Sequence, residues 1–220
     1  MRRALRNNSL SIITFGLFAL FLVGMSAAGV RQYNEEQTEH GEQGVSYVKY
    51  LQTGAFVEAT FENWESEFLQ MGGFVLLTVW LRQKGSPESK KLDGEEPVDE
   101  DPEDAGRDDA PWLAQTGGVK TWLYGRSLSI ALFALFFLSF ALHAAGGSRE
   151  YSAEQLAHGG ETVGTLAYLK TSQFWFESFQ NWQSEFLAVG ALVVLSIYLR
   201  QKGSPESKPV AAPHAETGSE

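Results

Sequence analysis

Residues 10–30 of this chain read LSIITFGLFALFLVGMSAAGV, a run of 21 residues without a charged side chain. A helix of roughly 20 apolar residues is long enough to cross a hydrocarbon core of about 30 Å. A second run, at residues 128–147, has the same character and is interrupted only by His143. The sequence therefore predicts membrane-spanning helices near residues 10–30 and 128–147.

The two runs belong to a longer internal repeat. Shifting the chain by 118 residues aligns residues 9–90 with residues 127–208 without a gap, and 41 of the 82 pairs are identical. The longest identical block, LRQKGSPESK, occupies residues 81–90 and 199–208. Two residues 118 positions apart are called twins below. Identity on this scale indicates a tandem duplication of one two-helix unit.

The first apolar run also has features of a signal peptide. Three arginines precede it, and the small residues at 26–28 resemble a cleavage site. Its twin run lies inside the chain, where no signal peptide can act. We therefore interpret the first run as a retained membrane helix.

Each unit ends in a shorter apolar run, at residues 68–81 and 186–199, closed by RQKGSP. A helix must start earlier to span a bilayer, which places these spans at about 61–81 and 179–199. The resulting prediction is an all-α membrane protein with four transmembrane helices in parallel repeats. The outer loops, 31–60 and 148–178, are predicted to form caps with amphipathic helices.

Charge predicts the orientation. The N-terminus, the segment 82–126 and the C-terminal tail hold 13 of the 17 Lys and Arg residues, so both termini are predicted to be cytoplasmic. Residues 92–111 contribute −9 of the net charge of −10. We expect repeats at 1–91 and 118–208, a disordered acidic linker at 92–117, and a disordered tail at 209–220.

Composition and motifs exclude several classes of protein. The absence of cysteine excludes disulfides, thiolate metal sites and cysteine nucleophiles. An acidic chain with scattered basic residues does not favour nucleic-acid binding. Phosphate-binding loops, paired-histidine zinc motifs and serine nucleophile elbows are also missing from the sequence. We therefore expect no enzyme activity, no cofactor and no metal.

The block NWxSEFL places polar side chains at membrane depth. Asn63 and Glu67 are four residues apart and share a helix face, as do Asn181 and Glu185. Counted from Arg82, Glu67 lies about 22 Å along the helix, inside the hydrocarbon core. In a first interpretation, Glu67 and Glu185 form a cation or proton site near the pseudosymmetry axis that relates the two copies. In a second interpretation, they lie at the membrane interface and fasten the outer caps to the helices. In the second interpretation, Trp64 and Trp182 anchor the helices at the headgroups; the residues alone leave both open.

The outer loops contain a histidine and a glutamate in each copy. His40 follows Glu36 by four residues, and His158 follows Glu154 in the same way. Such a pair can bind zinc or copper, but one pair per copy supplies too few ligands. We therefore expect each histidine to make a loop hydrogen bond or to form a helix C-cap with the glycine that follows it, Gly41 or Gly159.

The paired NWxSEFL and RQKGSPESK blocks resemble a bacterial family of small four-helix integral membrane proteins classed as a domain of unknown function. The resemblance covers nearly the whole chain and implies a cytoplasmic-membrane location, without catalytic residues. We expect a non-enzymatic structural or interaction component, in contact with the bilayer and with copies of itself or other membrane proteins. The alternatives are an ion, proton or small-molecule passage through Glu67 and Glu185, or an envelope sensor acting through the outer caps.

Overall fold

The computed structural model describes residues 2–102 and 109–218 of the chain. Residues 103–108 of the predicted linker and 219–220 of the predicted tail lie outside the described residues. All regular secondary structure in the described part is helical, which confirms the all-α class. The helices are α1 (Arg2–Asn7), α2 (Ser9–Glu39), α3 (Tyr47–Tyr50), α4 (Gly54–Trp80), α5 (Trp112–Gln115), α6 (Gly118–Tyr124), α7 (Ser127–Ala157), α8 (Thr165–Tyr168) and α9 (Ser172–Tyr198), with a 3₁₀ turn at Pro97–Asp99.

Three helices of the first copy recur in the second at the same spacing. Helices α2 and α7 are each 31 residues long, α3 and α8 are each four, and α4 and α9 are each 27. Three pairs of helices with equal lengths thus start 118 residues apart.

Two of the described helices, α2 and α7, are long and apolar enough to cross a membrane by length and composition. A buried core helix or a signal sequence passes the same test. In α2, however, only 6% of the most apolar 18-residue stretch is buried. Its side chains Leu10 and Phe15 are 77% and 72% exposed. A large exposed apolar surface marks a binding or membrane-contact surface. The two helices thus indicate membrane association.

The helices extend beyond the predicted spans. Helix α2 continues through the polar residues 31–39, which lie in the first predicted outer cap. It ends before Gly41, whose φ of 77° favours glycine. Helix α4 begins at Gly54 instead of near residue 61, because Thr53 Oγ1 accepts the Phe56 N–H at 3.3 Å and caps its first turn.

The chain divides into two compact units. Unit 1 comprises Met1–Phe61 and Ala141–Phe174, and unit 2 comprises Glu62–Phe140 and Trp175–Glu220. Unit 1 contains the first predicted outer cap, 31–60, and residues 148–174 of the second. Unit 2 contains the RQKGSPESK blocks, the described part of the linker and the tail.

In unit 1, both caps are held by the same kind of clamp. Asn34 Oδ1 accepts the backbone N–H of Val45 at 2.6 Å, and the Asn34 amide donates to the Val45 carbonyl at 3.0 Å. In the second cap, Ser152 Oγ accepts the Val163 N–H at 2.9 Å and donates to its carbonyl at 3.0 Å. Each clamp satisfies a backbone donor and acceptor beside a long helix, which fixes the path of the loop.

In unit 2, the two RQKGSPESK blocks fold alike but their last lysines differ. Lys90 forms an ion pair with Asp99, whereas Lys208 is 2% exposed and donates to three carbonyls of the tail. Those carbonyls belong to Pro213, His214 and Glu216. Burial lowers the pKa of Lys208, and the Arg200 charge lowers it further. The tail between 209 and 218 is folded onto this lysine.

Candidate functional site

Two side-chain hydrogen bonds of unit 2 join α4 to α9. The indole N–H of Trp182 donates to Glu65 Oε1 at 2.9 Å, and the side-chain amide of Asn181 donates to Glu62 Oε1. Glu65 is 0% exposed. Hydrogen bonds to a carboxylate are stronger than those between neutral groups, and low local polarity strengthens them further. The two bonds therefore fasten one helix to the other.

Aromatic side chains surround the Trp182 bond. The ring centroid of Trp182 lies 6.3 Å from that of Phe136 and 5.6 Å from that of Phe179, both at steep angles. Edge-to-face contacts of this kind add to the energy of burial. The indole is thus packed against aromatic side chains within unit 2, and its location at the headgroups stays a prediction.

The predicted pairs occupy unequal surroundings. Asn63 and Glu67 are exposed, whereas Asn181 and Glu185 are half-buried. The charges of Glu67 and Glu185 are close enough to interact. The structure therefore brings the two predicted carboxylates near each other, while Asn181 bonds to Glu62.

Unit 1 contains a buried group that includes His143, which is 0% exposed. Its ring stacks on Phe174 with centroids 4.8 Å apart. The Tyr168 hydroxyl donates to Glu58 Oε1 at 3.0 Å, and the Glu58 and His143 ligand atoms lie within 4.8 Å of each other. A carboxylate and an imidazole at this separation can share a proton or contact one cation.

The C-terminal ends of α2 and α7 also meet in unit 1. The rings of His40 and His158 lie with centroids 6.1 Å apart, at an angle of 76°. His40 follows the last residue of α2, and its backbone N–H donates to the Glu36 carbonyl at 3.1 Å. The expected C-cap of α2 is therefore present. The meeting of the two histidines was not expected.

Acidic side chains line this end of unit 1. Glu150 Oε2 accepts the backbone N–H of Ala55 at 2.9 Å, near the start of α4, where the helix dipole favours negative charge. The charges of Glu36 and Glu154 act on Glu150. Burial raises the pKa of the Tyr50 hydroxyl, and the charges of Glu150 and Glu36 raise it further.

Comparison with known proteins identifies the family. A family described as a domain of unknown function, DUF6766, matches residues 1–219. The chain belongs to this family. No curated protein and no solved structure matches it. Membership in DUF6766 confirms the expected resemblance to a domain of unknown function.

In this DUF6766 chain, sequence comparison between the copies missed three acids on α4. Glu58, Glu62 and Glu65 follow the i, i+4, i+7 spacing of one helix face. Their twins are Phe176, Gln180 and Gln183. These acids differ from their twins, so a search for residues shared by both copies leaves them out. The same search leaves out His143, whose twin is Met25. Their helical spacing alone could have identified them.

Proposed function

We propose that this DUF6766 chain is a multi-pass protein of the bacterial cytoplasmic membrane, built by tandem duplication, with four spans. Support for the spans α2 and α7 comes from their length, composition and exposure. Helices α4 and α9 have 27 residues each, or about 40 Å at the helical rise, which exceeds a core of about 30 Å. Pairing their polar side chains lowers the cost of placing them in lipid.

In this topology both termini face the cytoplasm. The proposal rests on the concentration of basic residues in the N-terminus, the segment 82–126 and the tail. Two spans per copy keep the copies parallel, so the pseudosymmetry axis runs along the membrane normal.

The function we propose is non-enzymatic: a structural or interaction component of the membrane. The observation that carries it is the Trp182–Glu65 bond at 2.9 Å, with Asn181 on Glu62 beside it. These acids are used as acceptors for neutral donors on the other helix, and such bonds hold helices together in lipid.

A cation or proton passage is the second candidate. Glu58, Glu62 and Glu65, which share one face of α4 by their spacing, favour such a passage. The electrostatic interaction of Glu67 with Glu185 favours it as well. Acidic side chains on a spanning helix mark ion or proton pathways in many transporters.

Single-cysteine labelling tests the topology, since the natural chain has no cysteine. The exposed twins Gln43 and Glu161, each replaced by cysteine, should react with a membrane-impermeant maleimide added outside intact cells. Asp93→Cys and Lys202→Cys should react only after the membrane is opened. Labelling of the cysteine at position 43 without labelling of the one at position 161 would contradict a topology of four spans in parallel repeats.

Proteoliposome flux separates the two functions. The structural proposal predicts that wild-type protein gives the same proton and K⁺ flux as empty liposomes. Wild-type flux above that baseline, reduced in Glu62→Gln/Glu65→Gln or in Glu67→Gln/Glu185→Gln, would establish passage and overturn the structural proposal. The matched control is Gln180→Ala/Gln183→Ala, which changes the neutral twins of the acids 62 and 65.

A further inference from the structure

The C-terminal ends of α2 and α7 place two histidines, one from each copy, side by side in unit 1. Their ring centroids are 6.1 Å apart, and both side chains are exposed. Two imidazoles on one zinc ion, with Zn–N distances of about 2.0–2.1 Å, have centroids about 5–6 Å apart. The observed centroid separation is close to the separation in such a site.

The His158 ring is already held in a tautomer that can bind a metal. Its Nδ1 lies 2.9 Å from the carbonyl oxygen of Glu154. Because a carbonyl oxygen only accepts, Nδ1 carries the hydrogen, which leaves the lone pair on Nε2. Metal-ligating histidines commonly donate their other ring N–H to a backbone carbonyl in this way.

Negative charge lies next to the pair. Glu36 and Glu154 precede the histidines by four residues on the same helix faces, and both act electrostatically on Glu150. Carboxylates one helical turn from the two imidazoles attract a divalent cation electrostatically, and water can fill its remaining coordination positions.

We propose that His40 and His158 jointly bind one divalent transition-metal ion, of which Zn²⁺ is the natural candidate. One copy alone supplies too few ligands, as the sequence indicates. The meeting of the two copies in unit 1 supplies the second imidazole. The site uses no residue of the α4–α9 contact, so its existence does not depend on the proposed function.

Metal titration of the purified full chain in detergent, without a histidine tag, tests the site. Zn²⁺ binding is measured by calorimetry, and Co²⁺ is used as a spectroscopic probe because its visible absorption reports nitrogen ligation. Wild type should bind about one Zn²⁺ per chain, and His40→Ala or His158→Ala should each weaken binding by at least about tenfold. The control, His214→Ala, changes a histidine of unit 2 and should bind like wild type.

A second variant distinguishes the contribution of the imidazole ligands from that of the nearby carboxylate charges. Glu36→Gln/Glu154→Gln keeps both imidazoles, so Co²⁺ should still show nitrogen ligation with a weaker affinity. Binding that persists unchanged in His40→Ala/His158→Ala, or that falls equally in His214→Ala, would overturn the proposal. Circular dichroism of each variant verifies folding, and the exposure of both histidines leads us to expect wild-type helix content.

Discussion

Helices α4 and α9 have equal length and share the NWxSEFL block, yet they take opposite roles in their contact within unit 2. Helix α9 supplies the donors, Asn181 and Trp182, and α4 supplies the acceptors, Glu62 and Glu65. The donors have identical twins in α4, whereas the twins of the acceptors are glutamines. The acidic acceptors of this contact therefore come from α4 alone, which makes the contact between these two similar helices asymmetric.

A second difference concerns close backbone approach in unit 1. A Cβ added at Gly146 would lie 2.6 Å from the Glu58 backbone nitrogen, and one at Gly54 would lie 2.7 Å from the Gly146 carbonyl oxygen. The twins of these glycines are Ala28 and Ser172. The start of α4 therefore packs on α7 at a distance that the residue types of the other copy would not allow.

The largest effect is expected from Glu65→Ala. The change removes a fully buried side chain and the acceptor of the Trp182 N–H, so the free energy of unfolding should fall by about 2–4 kcal/mol. Glu65→Gln retains an acceptor oxygen and should lose less. Thermal unfolding of the purified chain in detergent measures both.

The matched control for Glu65→Ala is its twin. Gln183 is exposed, so Gln183→Ala should change the free energy of unfolding by no more than about 0.5 kcal/mol. Equal losses of unfolding free energy in Glu65→Ala and Gln183→Ala would refute the unequal roles of α4 and α9.

A smaller loss is expected from Gly146→Ala. The added methyl would meet the Glu58 backbone nitrogen and Val57 Cγ1, at 2.6 and 2.9 Å, and overpacking of this kind costs about 1–3 kcal/mol. Gly24→Ala on α2 meets nothing within 4 Å and should stabilise the helix by up to about 1 kcal/mol. Denaturation of the two variants side by side measures the difference, and a stabilised Gly146→Ala would show that α4 does not pack this closely.

The smallest effect concerns pH and the first RQKGSPESK block. Burial raises the pKa of the Glu88 carboxyl, and the Glu206 charge raises it further. The folded state therefore binds this proton more tightly than the unfolded chain. The stability that this difference contributes is fully present below the ordinary carboxyl pKa of 4.5. It is lost as the pH rises through the raised pKa of the folded state.

Glu88→Gln should remove this pH dependence, so the variant gains stability relative to wild type as the pH rises above about 4.5. Glu206→Gln removes only the second cause and should give a smaller change in the same direction. Melting temperatures measured from pH 4 to pH 8, roughly the range of linkage for a raised carboxyl, provide the comparison. A parallel pH profile for wild type and Glu88→Gln would show that the carboxyl is not perturbed.

Local sequence patterns predicted the helical class and the two most apolar helices, because a long run without charge acts within one helix. They did not give the starts of α4 and α9, at Gly54 and Ser172, since a span length says nothing about helical residues outside the span. For the site, the shared block led to Asn181 and Trp182. It did not lead to Glu62 and Glu65, because comparing twins discards residues that differ.

By itself, the sequence determined which segments are apolar helices, where glycines such as Gly41 and Gly159 end them, and that donors and acids recur along α4 and α9. These properties depend on neighbours a few residues away. Only the tertiary structure decided that Trp182 meets Glu65, 117 residues distant in the chain, and that His40 meets His158. Such contacts depend on how separate helices pack, and helical periodicity does not encode which faces meet.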